Sequence, residues 1–414
     1  MAAGNPARTN GVLRAAMHFP RMDIREGLLV LIIWSTYLLP VDVKGVIVAH
    51  AFLLTLIAIC WMDGCHRRLP HTNTAFFLFF AILSLSSLSA LYFGLPVRFP
   101  NETVKLILLF LGTFFIGLSF RAERLRAILA PAPWLSLVMM LIVLVFIGPL
   151  FSLGGRLDVT GFLGPNVLGY LFVLNMAIVW ARPKWSGWDW LVFVLLSISM
   201  LACLSRGSMI AALAVFALHF GIGRTTLLAG GVAGALAAIF SNNPVVQRML
   251  ILGDVATSGG SGRTEIWGYA LSHWLSHPLA WLSGFGPGSI HLHIRWGSTQ
   301  DAAHSMYIGA LHYMGLLGLA FLLVALGVGI MRIMRARPSP ERTLARDFLT
   351  ITIVNGLVDE TYLASQATAI SAICFGLIVA VACQVCRSPA YHLSLEGGNE
   401  SMRGLGPKAG LNLR

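Results

Sequence analysis

The chain has 414 residues, 57% of them hydrophobic and only 11% charged, with a mean hydropathy of +0.78. A soluble globular chain carries about 25% charged residues, so a string of soluble domains is excluded and one all-α membrane domain is expected. The net charge of +12 has no folded polar and aromatic face to sit on, which excludes a nucleic-acid-binding surface.

Residues 1–26 carry Arg8, Arg14, Arg21 and Arg25 and run straight into apolar sequence. With no short apolar core and small-residue cleavage site, they read as a cytoplasmic N-terminus and not as a signal peptide. Each bilayer crossing needs roughly 20 apolar residues. Windowed hydropathy predicts about twelve transmembrane spans: 27–40, 44–62, 75–95, 103–120, 132–151, 160–181, 188–204, 206–222, 225–241, 305–331, 347–363 and 367–386. Spans 1–9 thus occupy 27–241 and spans 10–12 occupy 305–386. Between them, 242–304 reads as a long periplasmic loop, and 387–414 as a basic cytoplasmic tail.

With the N-terminus in the cytoplasm, 21 of the 29 Lys and Arg residues fall on that side and eight on the other. The eight are Lys44, Arg98, Lys105, Arg156, Arg206, Arg248, Arg263 and Arg295. This imbalance over short loops is the positive-inside pattern. Eight acidic residues also lie outside, so the whole excess of +12 faces the cytoplasmic lipid head groups. The six cysteines lie in or at the edges of apolar stretches and indicate no disulfide framework. Cys383 and Cys386 form a CxxC with no partner pair, which is a poor basis for a metal or redox centre.

The few outer cations are the candidates for chemistry. Arg206, at the start of a span, reads equally as a snorkelling anchor, although positive anchors belong on the inner face. In the loop, Ile266, Trp267, Ala270, Leu271, Trp274 and Leu275 recur at helical spacing and predict an amphipathic helix suited to a membrane interface. Pro278 ends it. Gly284-Phe285-Gly286-Pro287-Gly288 is expected to form a tight turn, since it lacks the strand and helix that flank a phosphate-binding glycine motif. Arg263 starts the helix at the wrong end of its dipole, at a cost of a few tenths to about 1 kcal/mol. His304 taken alone reads as an interfacial histidine bonded to a carbonyl. His291 and His293 have no third ligand at recognisable spacing, so no metal site is expected.

Four local patterns occur in order: Arg156 followed by Gly161-Phe162-Leu163-Gly164-Pro165-Asn166; Ser205-Arg206-Gly207; Gly262-Arg263-Thr264-Glu265-Ile266-Trp267 continuing to His277-Pro278 and Gly284-Phe285-Gly286; and His304-Ser305-Met306-Tyr307 continuing to Gly315-Leu316-Leu317-Gly318. In these the chain resembles the O-antigen ligase family, within the O-antigen ligase and polymerase superfamily of bacterial membrane glycosyltransferases. The match is close over about 150–320 and rests on hydropathy elsewhere. Where the family usually follows its histidine with asparagine, this chain has Ser305.

The resemblance implies an inner-membrane enzyme that moves a glycan from undecaprenyl diphosphate to a hydroxyl of the lipid A core. A diphosphate leaving group needs stabilisation. The sequence has no Asp-x-Asp motif to hold a metal, whereas guanidinium pairs bidentately with phosphate oxygens. Arg206 and Arg263 are the candidates, with Arg156 third, and no cofactor is expected. His304 is the candidate base for the acceptor hydroxyl, and a single displacement would invert the anomeric centre. Asn166, Ser205, Asp301 and Ser305 are further candidate substrate contacts. The alternatives within the superfamily are an O-antigen polymerase and a protein O-oligosaccharyltransferase. The alternative outside it is a lipid or polysaccharide transporter, which would favour internal repeats and paired charges inside spans. No repeat is seen, and Asp359-Glu360, at the outer end of span eleven, is the only close pair. Those two acids can instead hold an arginine or an acceptor sugar.

Overall fold

The computed structural model describes residues 22–38, 42–64, 72–96, 98–146, 164–203, 205–221, 223, 263–293, 299–300, 302–360, 363 and 365–387. Apart from a two-residue antiparallel ladder pairing Leu292–His293 with Thr299–Gln300, the regular structure among these residues is helical. In chain order the helices are α1 (Ile24–Leu38), α2 (Asp42–Met62), α3 (Thr72–Phe93), α4 (Phe99–Ser119), α5 (Ala122–Leu129), α6 (Ala132–Phe146) and α7 (Pro165–Trp180). There follow α8 (Gly187–Ala202), α9 (Arg206–Phe220), α10 (Arg263–Leu275), α11 (Ala280–Ser283), α12 (Met306–Arg335), α13 (Pro340–Val358) and α14 (Ser365–Arg387).

Helices occupy eleven of the twelve predicted windows, and the ninth, 225–241, lies outside the described residues. Among the described residues, five stretches are long and apolar enough to cross a membrane: Thr74–Phe93, Phe99–Ser119, Ala122–Leu141, Met306–Arg335 and Ala367–Gln384. Large apolar side chains such as Phe77, Leu88, Leu213 and Val324 face outward, as suits a surface solvated by lipid. The chain is an all-α membrane protein.

Two helices form the centre of the bundle. From Leu168 to Trp180, α7 buries every residue, the mark of a helix apolar on all sides. α14 packs along α4, and glycines let the two backbones approach. A Cβ at Gly117 would stand 2.5 Å from Val379, and one at Gly376 would stand 2.6 Å from Ile116. Such small-residue contacts drive helix pairing where no hydrophobic effect operates.

Two helices depart from the hydropathy windows. α13 begins at Pro340, seven residues before the predicted start, and ends at Val358, five before the predicted end. Ser339 caps it by accepting the Arg342 N–H at 3.1 Å. Its first turns are charged, yet the charges are matched: Glu341 meets Arg126 at 2.5 Å, and Asp347 meets His219 at 2.6 Å and Arg346 at 2.8 Å. A hydropathy window registers each charge and none of the partners.

The second departure is α12, expected as one straight span over 305–331 and broken at Gly315 (φ 65°, ψ −163°). That conformation belongs to glycine almost alone. A Cβ on Gly315 would fall 2.3 Å from the Leu282 carbonyl, and one on Gly284 (φ 71°) 2.4 Å from the Tyr313 carbonyl. The break frees carbonyls that find new donors: Phe285 N–H reaches His312 O at 2.9 Å, Gly286 N–H reaches Tyr313 O at 2.9 Å, and Ser86 Oγ also donates to Tyr313 O at 2.7 Å. Irregular backbone is tolerated at such depth when it is buried in protein and fully bonded. Gly284 to Gly288 form the expected tight turn, with positive φ at all three glycines, and the turn is buried against α12 and the start of α4.

α9 and α13 run antiparallel. Gly207 faces Asn355 and Val358 at one end, and His219 faces Asp347 at the other. Two charge clusters therefore occupy opposite ends of the bundle. The end with His219 also holds Arg182 on Asp189 and Arg124 on Glu26. The other end is the site.

Candidate active site

Four elements converge at the end where α9 and α10 begin and α13 stops. α9 brings Arg206, α10 brings Arg263, the turn before α12 brings His304, and the connection after α13 brings Asp359 and Glu360. Asp359 closes α13 by donating its backbone N–H to Asn355 O at 2.8 Å, and its side chain accepts the Glu360 N–H at 2.8 Å. So fixed, one carboxylate oxygen lies 3.7 Å from Arg263 Nη2 and the other 3.7 Å from His304 Nδ1. Both contacts are longer than hydrogen bonds. Asp359 is thus the hub that joins two of the sequence-predicted residues.

Arg206 lies close enough to Arg263 for its charge to be felt. Burial lowers the pKa of Arg263, Arg206 lowers it further, and Asp359 opposes both. Two adjacent guanidiniums lie in a partly enclosed setting, where electrostatic attraction for an anion is stronger than in water.

His304 is the one non-glycine residue with positive φ among those described, at 49°. Such a left-handed histidine stores strain that its surroundings must hold. Ala303 before it is sealed from solvent, and its carbonyl accepts the Trp267 indole N–H at 2.9 Å. Ser305 after it is buried and caps α12 through the Ile308 N–H, a role asparagine fills equally well. The serine at this position is therefore a helix cap.

Of the other candidates, Ser205 is buried with its hydroxyl 2.9 Å from that of Ser208, packed so tightly on α7 that a Cβ at Gly169 would stand 2.9 Å away. Asn166 is half-buried in the first turn of α7, one turn from Gly169 and hence at the same end of the bundle as Arg206. Arg156 and Asp301 lie outside the described residues.

The α10 helix forms over Arg263–Leu275, where the apolar spacing predicts it. Ile266 and Ala270 are buried against α12, whereas Leu271 and Leu275 are 38% and 58% exposed. The inner row continues through His273, which apolar spacing alone passes over. His273 stacks on Phe285 at 4.2 Å, and its Nδ1 lies 3.3 Å from His312 Nε2, while His312 Nδ1 lies 3.1 Å from Ser289 Oγ. Burial first, then the neighbouring His277, pulls the pKa of His273 down. The signal was a ring every fourth residue, at Tyr269, His273 and His277. Among the described residues no group of three or more His, Cys, Asp or Glu side chains is arranged to hold a metal ion. In the first two turns of α4, Glu102 and the buried Lys105 pair at 2.7 Å, at i,i+3 spacing.

The arrangement can bind a polyanion through two guanidiniums and sets an imidazole beside a carboxylate. The chain matches no protein-family model and no curated protein, so the chemistry of this end of the bundle is argued from its own residues.

Proposed function

We propose that the chain is an O-antigen ligase, which transfers a glycan from undecaprenyl diphosphate to a hydroxyl of the lipid A core oligosaccharide. The observation that carries this reading is Asp359 placed 3.7 Å from both Arg263 and His304, with Arg206 alongside Arg263. The acceptor hydroxyl attacks the anomeric carbon while His304 takes its proton. The bond from that carbon to the diphosphate oxygen breaks, and the lipid diphosphate leaves with the electron pair. Arg206 and Arg263 meet the charge that develops on it, which is the purpose of preorganised cations at a leaving group. Asp359 orients the imidazole and stabilises the imidazolium, as the carboxylate does in a catalytic triad. Displacement in one step inverts the anomeric centre. The charge work is done by arginines, so the reaction is metal-independent.

The site faces the periplasm in this reading. About twelve spans follow from hydropathy, and the Lys and Arg distribution places both termini in the cytoplasm, on one side of the inner membrane. The opposed charge clusters of α9 and α13 support this orientation, since the Arg206 end lies opposite the end that holds Arg182, Arg124 and Arg126. A transporter is disfavoured because Arg263, Asp359 and His304 gather where helices begin or end, and not midway along them.

An O-antigen polymerase or protein O-oligosaccharyltransferase would use the same residues with another acceptor. The lipopolysaccharide of a deletion strain decides among them. A ligase leaves no ladder on the core, with lipid-linked polymer accumulating. A polymerase leaves core bearing a single repeat. An unchanged ladder refutes both.

A further inference from the structure

Glu360 takes no part in the transfer chemistry above, yet its carboxyl is buried against the turn that carries His304. Asp359 and Glu360 are neighbours that face different ways: Asp359 meets Arg263 and His304, and Glu360 meets α12. A Cβ on Gly309, in the first turn of α12, would stand 2.8 Å from Glu360 Oε2, so the glycine leaves the room this carboxyl occupies. The Ala303 N–H hydrogen-bonds to the same carboxyl, and the Ala303 carbonyl is taken by Trp267. Both polar groups of the residue before the strained His304 are thus held, one by α10 and one by Glu360.

We propose that Glu360 is the positioning residue for His304, its carboxyl holding the Ala303–His304 turn in register with Asp359 and, when ionised, stabilising the imidazolium formed during transfer. The proposal rests on the glycosyl-transfer reading. The charged groups that face Glu360 are His304 from the turn, Asp359 from its own connection and Glu102 from α4, and α12 brings Gly309 against its carboxyl. Arg263, from α10, reaches the cluster through Asp359. Burial above all pushes the Glu360 pKa up to about 7, with Asp359 and Glu102 adding to the rise and the His304 charge and the Ala303 N–H opposing it. The extra negative charge is therefore present above about pH 7 and lost below it. No proton passes to Glu360; the acceptor proton goes to His304.

The test uses the purified full chain in lipid vesicles, with a lipid-linked glycan and a core acceptor. Glu360→Gln keeps an oxygen for the Ala303 N–H but does not ionise. At pH 8 its kcat is expected to fall about tenfold, the effect of a one-unit change in the stabilisation of a protonated group, with KM for the donor unchanged. The deficit is expected to shrink below pH 6, where wild type has lost the charge too. Glu360→Ala, lacking the acceptor as well, is expected to fall further at every pH. Gly309→Ala displaces the carboxyl without removing it and is expected to lie between wild type and Glu360→Gln. A Glu360→Gln enzyme that matches wild type at all pH values overturns the proposal, and so does one as defective as Glu360→Ala throughout. Infrared spectra give a readout independent of the reaction: a protonated-carboxyl band that fades through about pH 7 in wild type and is missing in Glu360→Gln. Its absence from wild type overturns the ionisation step. The glycosyl-transfer reading fails separately, if wild type moves no glycan or His304→Ala still does.

Discussion

Gly315→Ala tests whether the break in α12 builds the site. The native φ of 65° and ψ of −163° lie where an alanine costs about 1–3 kcal/mol. The new Cβ would also stand 2.3 Å from the Leu282 carbonyl, so α11 and α12 must separate by about an ångström to reach ordinary contact near 3.5 Å. That movement stretches the bonds from Phe285 N–H, Gly286 N–H and Ser86 Oγ to the freed carbonyls, each contributing about 1 kcal/mol. The total is about 4–6 kcal/mol, a large part of the about 5–15 kcal/mol that holds a typical fold together. Gly327→Ala is the control, since a Cβ there meets nothing within 4 Å on the same helix and alanine favours a helix by up to about 1 kcal/mol. Thermal unfolding in detergent and glycan transfer are measured for both variants. Gly315→Ala is expected to unfold several degrees lower and to lose transfer, whereas Gly327→Ala is expected to match wild type or exceed its stability. If the two variants behave alike, the break in α12 has no structural role and the reasoning fails.

His304→Ala is expected to abolish transfer while the protein still reaches the membrane at normal levels; residual activity would remove the histidine from the base role. Lysine at Arg206 or Arg263 is expected to be nearly as damaging as alanine, because the two-pronged contact with diphosphate is lost, and full tolerance of lysine would rule that contact out. Asp359→Asn is expected to lower kcat about 100-fold or more without raising KM for the donor, since it removes the partner of the imidazolium and leaves both arginines in place. A raised KM with unchanged kcat would mean that Asp359 serves binding instead. EDTA is expected to leave transfer by the purified enzyme intact, and its inhibition would refute the metal-free mechanism.

Hydropathy located most helices because a segment buried in lipid must be apolar over its whole length, and that property is local. It missed the start of α13, where Glu341 and Asp347 are tolerated because Arg126, His219 and Arg346 pair with them. Those partners lie up to 215 residues away in the chain, beyond any window. The place of His273 on α10 was hidden for a related reason: it turns inward because Phe285 and His312 are there to receive it.

The site divides along the same line. Arg206, Arg263 and His304 were legible because a cation on the outer side, or a histidine at a span boundary, stands out against the pattern around it. Ser305 was legible as a polar residue, while its task as the cap of α12 was not. Asp359 and Glu360 were visible as an adjacent pair with several uses open. Composition, span pattern and charge asymmetry are one-dimensional properties that water and lipid impose on the chain segment by segment, and from them alone followed a helical membrane protein with unusual cations at one end. Which cation meets which carboxylate, how His304 is forced into a left-handed turn, and why α12 breaks at Gly315 depend on contacts between distant segments. Only the folded bundle brings those segments to within 4 Å of one another.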